Sequence, residues 1–186
     1  MNDEAALEQT LWDAASPAQP HRPWRMISDG VMGGRSQGSV VTDVKEGRPC
    51  VRLRGTVSLD NGGGFLQVVQ EIDTSTAAAL PHYRGVVLDV YGNGETYGAH
   101  LRSKDNWLPW QAYRASFATE RTWQTIHLPF DSFDGYRTGT PLDPARLKRI
   151  GIVAIGREFN ADLCIGRLGF YKYSSRVESK DERQPQ

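Results

Sequence analysis

The chain has 186 residues, 22 of them basic and 22 acidic, so its formal net charge is zero. That length suits one domain with tails and is enough to bury a core without disulfides or a metal. With no net positive field there is no electrostatic basis for binding nucleic acid or an anionic membrane surface, and no apolar run approaches the ~20 residues that span a bilayer.

The opening stretch, Met1 to Glu8, is acidic. It lacks the basic-then-apolar order of a secretory signal and the Arg-rich character of a transit peptide, which predicts a cytoplasmic protein. Leu7, Leu11 and Trp12 stand at helical spacing, so a short helix is predicted around Ala5 to Ala15. A Pro-rich connector, Ser16 to Pro23, follows as a strap or linker. Residues 1–23 thus read as an N-terminal segment and strap and residues 24–173 as the folded domain; residues 174–186, charged and without apolar pattern, read as a disordered tail.

Trp24 to Ser36 is dense in glycine and carries Trp24, Asp29, Gly30, Gly33, Gly34 and Ser36; Ser58 to Phe65 answers it with Asn61, Gly63, Gly64 and Phe65. Glycines this close beside aromatic residues predict backbone packed on backbone, a structural role. Gly38 to Val44 reads as a strand, and Cys50 to Leu59 more clearly so, because Val51, Leu53, Val57 and Leu59 alternate with polar residues. Asp60 to Gly64 supplies turn chemistry, and with Phe65 to Ile72 beyond it a hairpin is predicted. Cys50 and Cys164 both fall in strands and read as buried free thiols of a reducing compartment, with one long-range disulfide as the alternative.

A polar, Ala-rich crossing from Asp73 to Tyr83, stopped by Pro81, leads to a second predicted hairpin, Val86–Tyr91 and Thr96–Arg102 around Gly92 to Glu95. In its second strand Tyr97, Ala99 and Leu101 share one face, and Thr96, Gly98, His100 and Arg102 the other. Lys104 to Trp110 is a loop holding Trp107 and Trp110, and Gln111 to Phe117 a strand with Tyr113 and Phe117 opposite Arg114 and Ser116. Trp123 to Leu128 is a strand, and the long loop from Phe130 to Pro141, with Tyr136 and Arg137, has a length more often functional than accidental. Leu142 to Arg149 reads as one helical turn capped by Asp143 with Pro144 at its first position, before closing strands Ile150–Ile155 and Leu163–Tyr173. Short strands with turn punctuation and no long amphipathic helix between them predict an antiparallel β-sandwich.

Asp29-Gly-Val-Met-Gly-Gly-Arg-Ser36, Leu59-Asp-Asn-Gly-Gly-Gly-Phe65 and Leu128-Pro-Phe130 with Phe133 close behind resemble the complex I intermediate-associated protein family, over roughly Trp24 to Tyr173. The resemblance implies an all-β fold, a galactose-binding-like jelly-roll β-sandwich of two antiparallel sheets; periodicity alone does not separate this from an immunoglobulin-like sandwich. From the mitochondrial members it implies a non-catalytic, chaperone-like assembly factor for respiratory NADH:ubiquinone oxidoreductase, with respiratory-complex subunits as protein partners.

Catalytic signatures are absent: there is no Cys-x-x-Cys, His-Glu-x-x-His or Gly-x-Ser-x-Gly, and Asp29 to Gly34 lacks the helix and Lys of a phosphate loop. Asp89 and Glu95, and Asp131 and Asp134, read as solvated turn acids, so no enzyme is predicted. No cofactor is expected; a structural Ca²⁺ of the kind jelly rolls hold at an edge would draw on Asp29, Asp60 or Asp162. The candidate binding surface comprises Thr96, His100, Arg102 and Arg114 on the polar sheet face, Trp107 and Trp110 beside it, and Tyr136 and Arg137 from the long loop. Besides a protein, such a surface suits a carbohydrate, since aromatic rings stack on sugars while Arg and His fix hydroxyls.

Overall fold

Alternating apolar residues build most of the strands, and the side chains at every second position meet in one core. The computed structural model describes residues 6–16, 23–32, 34–62 and 64–173. The C-terminal tail, most of the Pro-rich strap, and Gly33 and Gly63 lie outside them.

Among the described residues twelve strands form two antiparallel sheets: β1 (Ala6–Asp13), β2 (Arg25–Ser28), β3 (Gln37–Lys45), β4 (Arg48–Val57), β5 (Phe65–Glu71), β6 (Gly85–Tyr91), β7 (Thr96–Ser103), β8 (Ala112–Ala118), β9 (Trp123–Pro129), β10 (Asp134–Tyr136), β11 (Leu147–Ile155) and β12 (Phe159–Tyr173). Sheet A runs β3-β4-β12-β6-β9, with β1 also paired to β12; sheet B runs β10-β8-β7-β11-β5-β2. Leu53, Val86, Leu88, Leu163, Ile165 and Phe170 from sheet A meet Leu66, Val68, Tyr97, Leu101, Ile150 and Ile152 from sheet B, all at most 1% exposed. Each such side chain contributes about 1.5–3 kcal/mol of burial. Helix α1 (Thr74–Ala79) is capped by Asp73, whose side chain accepts from Thr76 N at 2.7 Å, and gives way to a 3₁₀ turn carrying Pro81. The predicted turn before β11 is the 3₁₀ turn Pro144–Arg146, with Asp143 accepting from Ala145 N at 3.0 Å.

Three local expectations are corrected. The predicted N-terminal helix is strand β1, paired with β12 from Ala6↔Tyr173 to Asp13↔Arg167. A bulge between Thr10 and Trp12 lets the consecutive Leu11 and Trp12 both pack on the core, which imitates helical spacing. Neither predicted hairpin exists: β4 and β6 lie in sheet A while β5 and β7, their successors, lie in sheet B. The turn chemistry is present, with Asn61 at φ 57°, Gly62 at 72°, Gly64 at 144° and Gly94 at 85°. It reverses the chain but does not decide which sheet receives the next strand. A tight hairpin does form between β3 and β4, through Glu46 at φ 46° and Gly47 at 76°, and β7 and β8 pair around the longer Trp107 loop.

Asp29 ties the two glycine-dense stretches together. Its carboxylate, wholly buried, accepts from Ser36 N (3.0 Å), Ser36 Oγ (2.6 Å) and Gly64 N (2.5 Å). Ser36 Oγ in turn accepts from Ser58 N at 2.9 Å. A Cβ on Gly34 would collide with Asp29 Cγ, so glycine there is what lets the loop close over the carboxylate. Burial alone would push the Asp29 carboxyl up, but these hydrogen bonds outweigh it and hold it below its ordinary range. Cys50 and Cys164 are free and buried, and burial raises both thiols.

Candidate functional site

The two outer faces of the sandwich are built differently. On sheet A every neighbouring arginine meets a carboxylate: Arg52 reaches Asp162 at 2.7 Å and Asp43 at 2.9 Å, Arg48 reaches Asp89 at 2.7 Å, and Arg167 pairs with Asp89 at 2.9 Å and with Glu8. Of the acids considered above for Ca²⁺, Asp162 accepts from Arg52 and Asp29 from Ser36; Asp60 stands exposed in the turn after β4.

On sheet B the register places His100 opposite Arg114 on one side and Gly151 on the other, and Gly98 opposite Ser116. Because Tyr97, Ala99 and Leu101 enter the core, Thr96, Gly98, His100 and Arg102 face outward, as the alternation predicts. A groove of about 510 Å³ is lined by Thr96, Gly98, His100, Arg114 and Ser116, and bordered by His127 to Pro129 of β9 with Ser132 and Asp134. Glycine lowers this floor: the His100 ring lies over Gly98, and the Gln67 side chain lies where a Cβ on Gly151 would stand.

His100 is only 8% exposed. Burial, reinforced by the Arg114 charge, lowers its pKa to about 4, so the imidazole is neutral at physiological pH. The Arg114 guanidinium stacks on the Tyr136 ring at 3.5 Å, and Arg137 approaches the same ring at 5.3 Å. Arg114 Nε is buried without an acceptor. The stretch expected to be one long loop contains strand β10, which carries Tyr136 and pairs with β8; the segment from Arg137 beyond it is anchored, since Tyr113 Oη donates to Thr140 O at 2.7 Å and Gln111 Nε2 to Arg137 O at 3.0 Å.

Arg102, Trp107 and Trp110 do not line that groove. Arg102 instead braces the aromatic loop, its Nη2 donating to Asn106 O at 3.3 Å and Leu108 O at 3.1 Å. Gln111 Oε1 accepts from Trp107 N at 2.9 Å and Leu108 N at 3.0 Å. The loop presents Trp107 (87% exposed), Leu108 (44%) and Trp110 (47%) to water, with the backbone of Trp107 and Leu108 held. Sequence reasoning missed Arg149, Lys148 and Arg25, which share or flank this face; reading Leu142 to Arg149 as helical hid the outward alternation of Arg149, Gly151 and Val153.

Residues 12–165 match the sequence family described as Complex I intermediate-associated protein 30 (CIA30). The chain belongs to the CIA30 family. No curated protein matches this CIA30-family chain in sequence. Among solved structures it is similar to the family 11 carbohydrate-binding module of the cellulosomal cellulase Lic26A-Cel5E of Clostridium thermocellum, with a TM-score of 0.67, 15% identity, and 89% of this chain and 95% of that chain covered. The same family's module in complex with a β-1,3-1,4-mixed-linked tetrasaccharide gives 0.68 at 14% identity, covering 89% and 96%. The family 30 module of Clostridium thermocellum cellulase Cel9D-Cel44B gives 0.52 at 11% identity, covering 92% of each. These likenesses give the CIA30-family protein the expected galactose-binding-like jelly-roll fold. Among the described residues no helix is long and apolar enough to cross a membrane.

Proposed function

We propose that this CIA30-family protein is a non-catalytic binding module that holds a protein partner, an assembly intermediate of respiratory complex I, against the outer face of sheet B. The observation that carries the reading is the aromatic loop: Trp107, Leu108 and Trp110 stand exposed, yet Arg102 and Gln111 hold the backbone of Trp107 and Leu108. Exposed aromatics on an ordered backbone of this kind act as interface anchors, because less loop entropy is lost on binding. Membership of the CIA30 family supports the partner class.

The test is affinity purification of the tagged protein from its native cells with mass spectrometry of what co-elutes. Enrichment of NADH:ubiquinone oxidoreductase subunits, lost in a Trp107→Ala/Trp110→Ala variant whose melting temperature is unchanged, is the expected result. Absence of those subunits from the wild-type eluate would overturn it. A second reading, carbohydrate binding, draws support from the tetrasaccharide held by a module of the same fold and from the groove over Gly98 and His100. It predicts saturable binding to a member of a glycan panel, and flat titrations throughout would exclude it.

A further inference from the structure

On the outer face of sheet B, cations outnumber the carboxylates that meet them. Arg102 and Arg149 are direct cross-strand partners, an arrangement that like charges disfavour. Lys148 adjoins both closely enough to feel their charge. The one acid opposite Arg149 is Glu71, and it is already bound by Arg25 at 3.0 Å. Among the described residues neither Arg149 nor Lys148 forms an ion pair or side-chain hydrogen bond, and Arg102 uses only Nη2, on two loop carbonyls. Donors exceed acceptors beneath the same loop as well: Arg102 Nε and Asn106 Nδ2 are buried with no partner, and Asn106 cannot flip because its Oδ1 accepts from Ser103 N at 2.8 Å. Sheet A, where each arginine named above is paired, makes the contrast plain.

We infer that Arg149, Lys148 and the outward edge of Arg102 form a site for a carboxylate carried on an acidic segment of a protein partner. Guanidinium groups grip an oxyanion through parallel charge-assisted hydrogen bonds, and partial removal from water strengthens the grip. The inference rests on the protein-partner reading and deepens it. Arg102 touches both the cationic cluster and the carbonyls of the Trp107 loop, so the segment that fits carries an acidic residue next to an apolar one. Burial lowers Arg102 and Arg149 from their ordinary range, and for Arg149 the neighbouring Arg102 charge adds to this while Glu71 opposes it without outweighing it.

The test is calorimetric titration of the full chain with a short alternating Glu/Leu peptide, its Gln/Leu counterpart and sodium sulfate. The Glu/Leu peptide should bind saturably and weaken as salt rises, the Gln/Leu peptide should not bind, and sulfate should compete only at higher concentration. Arg149→Gln and Lys148→Gln should each weaken binding about tenfold. Arg121→Gln, on the separate polar groove beside Arg54 and Asn160, should leave it unchanged. Arg149→Gln should also melt no lower than wild type, since it removes a like-charge opposition, which separates lost binding from lost fold. Equal affinity in an Arg149→Gln/Lys148→Gln double variant, binding of the neutral peptide, no binding of the acidic one, or tighter binding of sulfate would each overturn the carboxylate site. Peptide binding as expected with no co-purified complex I subunits would leave the site standing while the assembly reading fails. Co-purification that survives in the double variant would do the reverse.

Discussion

Replacing Asp29 with Ala strikes the joint on which both glycine-dense stretches close. The substitution leaves Ser36 N and Gly64 N, previously bonded at 3.0 Å and 2.5 Å, buried with no acceptor, and frees Ser36 Oγ from its 2.6 Å bond. Hydrogen bonds to a charged acceptor contribute about 1.5–3 kcal/mol each, and an orphaned buried donor costs about 1–3 kcal/mol. Ser36 Oγ retains a fallback in Ser58 O at 3.3 Å, and the buried carboxylate carries a desolvation penalty that its removal relieves. The net expectation is a loss of about 3–5 kcal/mol, a large share of the ~5–15 kcal/mol that holds a domain folded. Urea unfolding followed by tryptophan fluorescence measures it, and amide exchange at Gly64 should accelerate ahead of the core strands. Asp29→Asn, which keeps the shape but loses the charge, should fall between wild type and Ala. Because the folded carboxyl lies below its unfolded value, its contribution is present above about pH 4 and fades as pH falls further; Asp29→Asn removes that acid-side slope. A loss under ~1 kcal/mol in Asp29→Ala would refute the view that this carboxylate organises the two loops.

Three further outcomes follow from the same geometry. His100 is held neutral with a pKa of about 4 against an ordinary 6.5, so its contribution is complete above pH 6.5 and is lost as pH falls toward 4, by at most about 3 kcal/mol; chemical denaturation across that range should lose this slope in His100→Gln. Gly34→Ala places a Cβ against the Asp29 carboxyl, 2.6 Å from Oδ1, and should lower stability by about 2 kcal/mol or more, read as a drop in melting temperature. Tyr113→Phe removes the bond to Thr140 O and should loosen the Arg137 to Pro141 segment at a cost of about 1 kcal/mol, visible as faster exchange in that segment with the strands unaffected.

The period-two pattern made individual strands legible, as Tyr97, Ala99 and Leu101 show by turning inward while His100 and Arg102 turn out. Turn residues were legible too, since Asn61, Gly62 and Gly94 all take positive φ. Partnership was not: whether the chain after Gly62 or Gly94 folds back on its own strand or crosses to the opposite sheet depends on apolar faces brought in from far along the chain. β1 misled through its bulge, which set Leu11 beside Trp12 on the core. The candidate face was found in part because Arg114 and His100 lie in clear alternation. Arg149 escaped because Asp143 and Pro144 announce a helical turn whose end, three residues on, no local signal marks. The resemblance marked Asp29 and Gly34 as belonging to one motif, but only their contact explains why an acid and a glycine must travel together.

Strand β12 borders β1, β4 and β6 at once, along 15 residues near the far end of the described chain. On the ribosome these three earlier strands leave the exit tunnel well before the segment that joins them. Until β12 emerges, sheet A can form only the pairs β3–β4 and β6–β9, which stay unjoined to each other and to β1, so its completion waits for the last strand.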